Sequence, residues 1–503
     1  MLFLENLERN RRERPNDPYL LHEGRTVTFE EFDRATNRFA RVLGRLGIVK
    51  GDRVTVALGN SVEWVTAAFG ALKAGAILNP VNPTLGSAEL GYVLGHAEPR
   101  VIVTDRDSSA SLLAPTMKLP ASATLVSFGD LSGATPLAPL LADSGDDPVS
   151  VVVSAGDGST LLYTSGTTGN PKGVLFTHSR TGGSGAFFIS GMRIRPDDVI
   201  LTVGPLFHGN AWSAVAVAQQ AGCTATFPRA FSASDFWPLA ERTGATVLFT
   251  LGTILAILLT QEKTPAEERN RIRVVLGLGS APIRDRLRER FGFEHVVECF
   301  GSTDAGVVTL EPLGEKPRPG SAGPAIPGVR LHILDDDGRE LPVRAVGEIA
   351  VESPHRMDSY FRDPEQTAEA LRDDWFLTGD LGFLDEDGWL YFVDRKRDVI
   401  RRGGENISSV LVEKALREHP AVADVAVIGV RHPVLGQEVK AFVVPRTPVT
   451  IEELREFASG RLAKFQVPAH WEFRDSLPRT PTQRVEKYKL RSDDPSSRGP
   501  LLG

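Results

Sequence analysis

At 503 residues, with 41% hydrophobic and 24% charged side chains, the chain is too long for one ordinary core and too apolar for global disorder. A net charge of -7 without a basic block excludes a nucleic-acid stripe, and the two cysteines, Cys223 and Cys299, lack the spacing of a zinc site or a disulfide framework. The amino terminus turns charged by Arg9 and no apolar run reaches about 18 residues, so no signal peptide and no integral membrane protein is expected, and a reducing cytoplasm is the predicted compartment.

From Glu30 to Gly47 the apolar positions Phe32, Ala35, Phe39, Val42, Leu43 and Leu46 recur at helical spacing and predict an amphipathic helix. Asp52 to Leu58 reads as a buried strand, Val62 to Ala74 as a helix, and Ala76 to Leu78 as a further strand before the turn at Pro80 and Pro83. This alternation predicts a layered α/β domain with a largely parallel sheet. Residues 105–160, rich in Ser, Ala, Asp, Pro and Gly, read as a variable surface excursion with a strand-like fragment at Ala123 to Phe128. Strands and helices resume through Val247 to Leu259 and Val274 to Leu278, and Gly328 to Phe392 shifts to shorter, Gly-punctuated strands of a smaller β-rich subdomain.

After the charged run Asp394 to Asp398, a compact α+β segment is expected. Its elements are the helix Ser408 to His419, the strands Val425 to Val430 and Val439 to Val444, and the helix Ile451 to Leu462. The expected division is therefore a large domain, residues 1–394, and a small one, residues 395–503.

Chemistry concentrates in Tyr163-Thr164-Ser165-Gly166-Thr167-Thr168-Gly169-Asn170-Pro171-Lys172-Gly173-Val174. Backbone N–H groups and Ser/Thr hydroxyls in such a loop can surround phosphate oxygens while Lys172 adds positive charge. The spacing is not that of a P-loop NTPase, because Asn170-Pro171 separates Gly169 from Lys172. Taken alone, the string is open between a polyphosphate loop and a flexible turn.

The string also resembles the signature loop of the adenylate-forming superfamily, and further segments resemble that family's motifs in the same order. These are Ala71 to Ala76, Pro205-Leu206-Phe207-His208-Gly209, Gly279-Ser280-Ala281-Pro282, Phe300-Gly301-Ser302-Thr303-Asp304, Trp375 to Asp380, Asp394 to Ile407 and Leu477 to Leu490. Together they span residues 26–490. The fold so implied is a large N-terminal domain of α/β layers with a β-rich subdomain, followed by a mobile α+β lid. The activity implied is that of an acyl-CoA ligase: a carboxylic acid and ATP give acyl-AMP, and the thiol of coenzyme A then displaces AMP.

By the same resemblance Thr164, Ser165, Gly166, Thr167, Thr168, Gly169 and Lys172 meet the phosphates. Phe300 and Phe392 flank the adenine, bordered by Gly279, Ser280 and Ala281; Asp380 binds the ribose with help from Arg395. Thr303 meets the α-phosphate, Asp304 stands at the position of a Mg2+-binding Glu, and His208 lies between the acyl site and the thiol tunnel. Arg397 matches the hinge and Gly404 the glycine that opens the pantetheine path. The acyl pocket is expected near Phe207, Trp212, Gly252, Gly277 and Cys299, whose small and apolar surroundings suit a bulky, apolar acid. The stretch Phe231 to Trp237 resembles the carnitine-CoA-ligase-like branch.

Two motifs depart from the family pattern. The terminal motif Leu477 to Lys487 carries Gln483 for a glycine and Arg484 for the lysine that contacts carboxylate and phosphate during adenylation. Asp304, one methylene shorter than Glu, is the second departure. A guanidinium keeps the charge but is planar and wider than an ammonium. The expectation is an enzyme that retains thioester formation from acyl-AMP while its adenylation is weak or absent, which calls for a separate adenylating enzyme. The alternatives are a complete synthetase in which Arg484 replaces the lysine, a carrier-protein loading enzyme, and a non-catalytic adenylate-binding protein. The sequence leaves a homo-oligomer open.

Overall fold

The computed structural model describes residues 3–493 except 165–170, 183, 184, 373, 397, 403, 404, 433, 481, 482 and 484, and at 3, 182 and 406 the backbone alone. The chain forms two compact units: Met1–Arg330 with Glu352–Phe376, and Leu331–Val351 with Leu377–Gly503.

The first unit is built on two large sheets. One has eight strands in the order Ser359–Tyr360, Lys172–Thr177, Gly158–Thr164, Ile77–Pro80, Arg53–Val56, Val101–Asp105, Thr124–Phe128 and Thr135–Pro136. The other has seven, in the order His295–Val297, Val274–Leu278, Val247–Leu251, Val199–Thr202, Thr224–Thr226, Pro18–His22 and Arg25–Thr28. Parallel pairing dominates both, with antiparallel pairs at Arg25–Thr28, Lys172–Thr177 and Ser359–Tyr360. The expected layered α/β class is borne out.

The amphipathic helix spans Phe29–Arg45, and its start is set by a capping box. Thr28 Oγ1 accepts the Glu31 N–H at 3.2 Å, while the Glu31 carboxylate accepts the Thr28 N–H at 2.9 Å. Its apolar face carries Phe29 and Phe32 against Tyr19 and Phe69, with ring centroids 4.8–5.1 Å apart for Tyr19–Phe29, Tyr19–Phe32 and Phe32–Phe69. Each such ring, fully buried here, contributes about 1.5–3 kcal/mol by leaving water.

Within residues 105–160 the strand-like fragment is borne out, and the excursion reading is corrected at that strand. Thr124–Phe128 is a parallel strand beside Val101–Asp105, and Gly158–Thr164 lies near the middle of the sheet. Val126 is wholly buried, so the segment completes the sheet rather than looping off it.

The strands Arg330–Leu334, Gly347–Glu352, Trp375–Leu384 and Leu390–Arg395, most of whose residues are in the second unit, belong to one sheet. A second sheet runs Glu405–Ile407, Ile400–Arg402, Gly436–Pro445, Val422–His432, with His470–Phe473 also paired to Gly436–Pro445. The helices Ser409–Arg417 and Ile451–Ser459 pack on a core of Val412, Leu416, Val425, Val427, Ala441 and Leu454. Among the described residues, no helix is long and apolar enough to cross a membrane.

Candidate active site

In the first unit, the hairpin Gly158–Thr164/Lys172–Thr177 pairs Thr164 directly with Lys172 and so brings the two ends of the glycine-rich loop side by side. The loop residues Ser165, Gly166, Thr167, Thr168 and Gly169 lie outside the described residues. The edge strand Ser359–Tyr360 adds to this hairpin, with Tyr360 opposite Val174. There the Lys172 ammonium sits 4.8 Å from the centre of the Tyr360 ring, a cation–π contact that holds the lysine without neutralising it. The Tyr360 hydroxyl also hydrogen-bonds the Asp304 side chain; burial and the Asp304 charge together push the phenol well above its usual range. Asp304 is fixed through its backbone as well, its carbonyl accepting the Met357 N–H at 2.7 Å. Tyr360 thus joins two expected site residues, Lys172 and Asp304, and nothing in its own sequence surroundings signals this.

Thr303 and Asp304 occupy the turn between the antiparallel strands Cys299–Ser302 and Gly306–Leu310, which the Ser302 hydroxyl closes by accepting the Ala305 N–H at 3.0 Å. Among the described residues, no group of three or more His, Cys, Asp or Glu gathers to hold a metal. A single carboxylate such as Asp304 suits Mg2+, which keeps several waters and takes phosphate oxygens from its substrate.

The loop Gly279 to Ala281 is set by Glu298, a buried residue of the same unit. One carboxylate oxygen accepts the Gly279 N–H at 2.7 Å and the Cys299 N–H at 3.2 Å, and the other accepts the Ala281 N–H at 2.9 Å. Burial pushes Glu298 up to about 7 against the pull of those three amides. Behind it, Glu311 accepts the Glu298 N–H at 2.9 Å and pairs with Arg284. The loop turns at Gly279, whose φ of +81° suits glycine.

Close approach explains another glycine: a Cβ on Gly252 would lie 2.4 Å from the Gly279 carbonyl oxygen and 2.9 Å from the Ser280 nitrogen. A Cβ on Gly277 would meet Leu255 and the Ser280 hydroxyl at 2.8 Å each. Both glycines therefore seat this loop on the helix Gly252–Thr260 and its strand, a role that spacing alone does not disclose. Phe300 and Cys299 are buried beside Glu298, and burial raises the Cys299 thiol well above its usual range, which keeps it unreactive.

Phe207 and His208 precede the helix Gly209–Ala221, His208 standing at its N-cap position and exposed. Trp212, in the first turn of that helix, packs edge-on against Trp64 at 5.3 Å and Phe69 at 5.5 Å.

In the second unit, Asp380 and Arg395 are cross-strand partners with side chains 3.4 Å apart; Asp380 is buried and Phe392, opposite Gly382, is partly exposed. One residue before Arg395, the buried Asp394 accepts the Ser409 N–H at 2.6 Å and the hydroxyls of Ser408 and Ser409 at 3.1 and 3.0 Å, anchoring the helix Ser409–Arg417. Arg397, Gly404 and Arg484 lie outside the described residues. Near Arg484, Gln483 has a φ of +64°, a conformation that a glycine adopts without strain. The neighbouring lysines are engaged: Lys487 pairs with the buried Glu413 at 2.7 Å and the Ser409 hydroxyl at 2.6 Å, and Lys489 pairs with Glu486 at 2.6 Å.

The class that the fold of each unit and the order of these motifs define is the adenylate-forming ligase. Residues 7–361 match the AMP-binding enzyme model and residues 411–484 the AMP-binding enzyme C-terminal domain model. The chain belongs to the AMP-binding enzyme family. It is 34% identical over 503 aligned positions to the Streptomyces coeruleorubidus protein named fatty acid–(acyl-carrier-protein) ligase ScoC, covering 95% of this chain and 93% of that one. Identity to the crotonobetaine/carnitine–CoA ligase of Salmonella typhi is 33% over 493 positions, 93% of each chain, in line with the expected branch. Among solved structures, ATP-bound MatB from Rhodopseudomonas palustris is similar with a TM-score of 0.89 at 29% identity, covering 98% of this chain and 99% of that one.

Proposed function

We propose that this chain transfers an acyl group from acyl-AMP to the thiol of coenzyme A, and that its own adenylation of the acid with ATP is weak. In the transfer, the thiol gives its proton to solvent, its sulfur attacks the acyl carbon, the bond from that carbon to the phosphate oxygen breaks, and AMP leaves. Lys172 and the loop Thr164 to Gly169 are assigned to the phosphates, Thr303 to the α-phosphate, and Asp380 with Arg395 to the ribose. Phe300 and Phe392 with the loop Gly279 to Ala281 are assigned to the adenine, and His208 to the passage between acyl group and thiol. Phe207, Trp212, Gly252, Gly277 and Cys299 remain our assignment for the acyl surroundings. Residues 395–503 are the proposed lid, pivoting at Arg397 and opening the thiol path at Gly404. Mg2+ held by Asp304 would screen the phosphate charge of ATP.

The observation that carries the weak-adenylation reading is the engagement of Lys487 with Glu413 and Ser409. With Lys489 paired to Glu486 as well, neither lysine following Arg484 stands ready to replace the family lysine. Loss of one well-placed transition-state donor costs about 100- to 1,000-fold in rate. The test compares pyrophosphate release from acid and MgATP with acyl-CoA formation from synthetic acyl-AMP and CoA. The expected result is slow release and fast transfer, with Arg484→Lys raising the first; fast pyrophosphate release by the unaltered protein rejects the reading. A carrier-protein thiol as acceptor is the second reading, favoured by the name of the Streptomyces relative. Rates with CoA and with a phosphopantetheinylated carrier separate the two.

A further inference from the structure

Asn60 belongs to none of the motifs in the sequence, yet its side chain is committed to the loop that carries His208. It follows the strand Arg53–Val56 of the eight-stranded sheet and precedes the helix Val62–Lys73. Its amide nitrogen donates to the Gly204 carbonyl at 3.0 Å and the Pro228 carbonyl at 3.1 Å, and its amide oxygen accepts the Leu206 N–H at 2.7 Å. Gly204 and Pro228 each stand two residues beyond a strand of the other sheet, Val199–Thr202 and Thr224–Thr226, which are hydrogen-bonded neighbours. Asn60 is 7% exposed, so water offers these three backbone groups little substitute.

Three hydrogen bonds of mixed polarity need both donors and an acceptor, which among small side chains is the property of an amide. A carboxylate would keep the Leu206 contact but present negative charge to two carbonyl oxygens; an apolar side chain would leave all three groups unpaired. Leu206 lies inside a turn that continues through the His208 N–H to the Pro205 carbonyl, 2.9 Å, and into the first helical bond, Trp212 N–H to the His208 carbonyl, 3.0 Å. Ser61, the next residue, caps the helix Val62–Lys73 by accepting the Trp64 N–H at 3.1 Å, and that helix sets Trp64 against Trp212. The same short segment therefore grips the His208 loop at its beginning and the helix after it one turn later.

We infer that Asn60 is a positioning residue that fixes the Pro205 to Gly209 loop, and through it His208, for passage of the acyl group and the thiol. This rests on the gate reading of His208 given above. Rates of acyl transfer are sensitive to such placement, since an error of about 1 Å at a reacting group costs roughly 100-fold.

The test uses the full chain with octanoyl-AMP and benzoyl-AMP as acyl probes, CoA as the thiol, and AMP alone as the nucleotide probe. The variants are Asn60→Ala, Asn60→Asp, His208→Ala and the double variant, with Asn79→Ala as control. Asn79 is a wholly buried amide bonded to Thr55 and to the Leu161 carbonyl, away from the His208 loop. Asn60→Ala is expected to raise KM for CoA and for the acyl-AMP about 10-fold or more while the Kd of AMP stays within about twofold. Asn60→Asp does no better, and the loss largely disappears in the His208→Ala background, as it does when two residues act through one loop. Hydrogen exchange of the Leu206 amide quickens in Asn60→Ala and stays slow in Asn79→Ala.

The inference is overturned if the Leu206 amide stays protected, if AMP affinity falls as far as the CoA term, or if the Asn60 and His208 effects multiply. His208→Ala without any effect on the acyl or CoA term instead sinks the gate reading itself. Should Asn60→Ala not accumulate, Asn60→Ser carries the same comparisons.

Discussion

Replacing Glu298 by Gln tests whether the loop Gly279 to Ala281 depends on a buried carboxylate. In the native protein three amides converge on its two oxygens, at 2.7, 2.9 and 3.2 Å. A glutamine can keep its oxygen toward Gly279 and Cys299, but its NH2 then faces the Ala281 N–H, donor against donor. One charge-assisted hydrogen bond, about 1.5–3 kcal/mol, is lost from the loop. If the loop borders the adenine, AMP binding should weaken by about 10- to 150-fold, at 1.4 kcal/mol per tenfold.

The pH dependence separates this effect from general damage. Burial raises Glu298 to about 7, so acidification from 8 to 6 protonates it and removes an acceptor from the loop. AMP affinity of the native protein should fall as pH drops through about 7, with Glu311 and Arg284 the charged groups adjoining the site, whereas the Gln variant should keep only the shallower fall that protonation of the AMP phosphate at about pH 6 gives both proteins. Fold stability runs the other way. Because the folded value lies above the roughly 4.3 of a free Glu, its contribution is present below that value and lost as pH rises through about 7. Relative to the native protein, the Gln variant should therefore melt higher at pH 8 than at pH 5.5. Calorimetric AMP titrations and melting curves at four pH values read both effects; parallel pH profiles for the two proteins would refute the reasoning.

Gln483→Gly removes a side chain held at a φ of +64° and should raise the stability of the terminal segment by about 1 kcal/mol, read as an upward shift in the melting transition. Gly252→Ala brings a methyl to within 2.4 Å of a carbonyl oxygen that belongs to the backbone, so the loop must move. AMP affinity should fall at least tenfold in a protein whose far-ultraviolet spectrum is unchanged, a loss of about 1.4 kcal/mol.

The parts of the fold that the sequence discloses are those whose causes are local. Phe29–Arg45 carries its apolar period and its capping box, Thr28 with Glu31, in one stretch, and Val274–Leu278 is apolar but for Gly277. Thr124–Phe128 is legible as a strand-like fragment, but its place in the sheet is not, because its partner, Val101–Asp105, sits across some twenty residues of Ser-, Ala- and Pro-rich chain. The same division holds at the site. The strings that contain Lys172 and Asp304 are local patterns and legible, whereas the hairpin and the turn that carry them come from the structure. Tyr360, Glu298 and Asn60 act through contacts with residues distant in sequence or with backbone groups, and such contacts leave no spacing rule to read. Gly252 and Gly277 read as small pocket residues, whereas their neighbours show a packing reason for both.

The chain from Asp394 through the Ser409 hydroxyl to Lys487 and Glu413 makes the carboxy-terminal tail part of the small core rather than an appendage. A protein trimmed ahead of Lys487 would lose more than its terminal motif: it would leave the buried Glu413 carboxylate only Arg417 at 3.5 Å and the Val427 N–H at 2.9 Å, and loosen the start of the helix Ser409–Arg417. Comparisons of activity between full-length and shortened forms would then register a softened domain as well as a missing cation, and point substitution at Arg484 is the cleaner way to ask what that cation does.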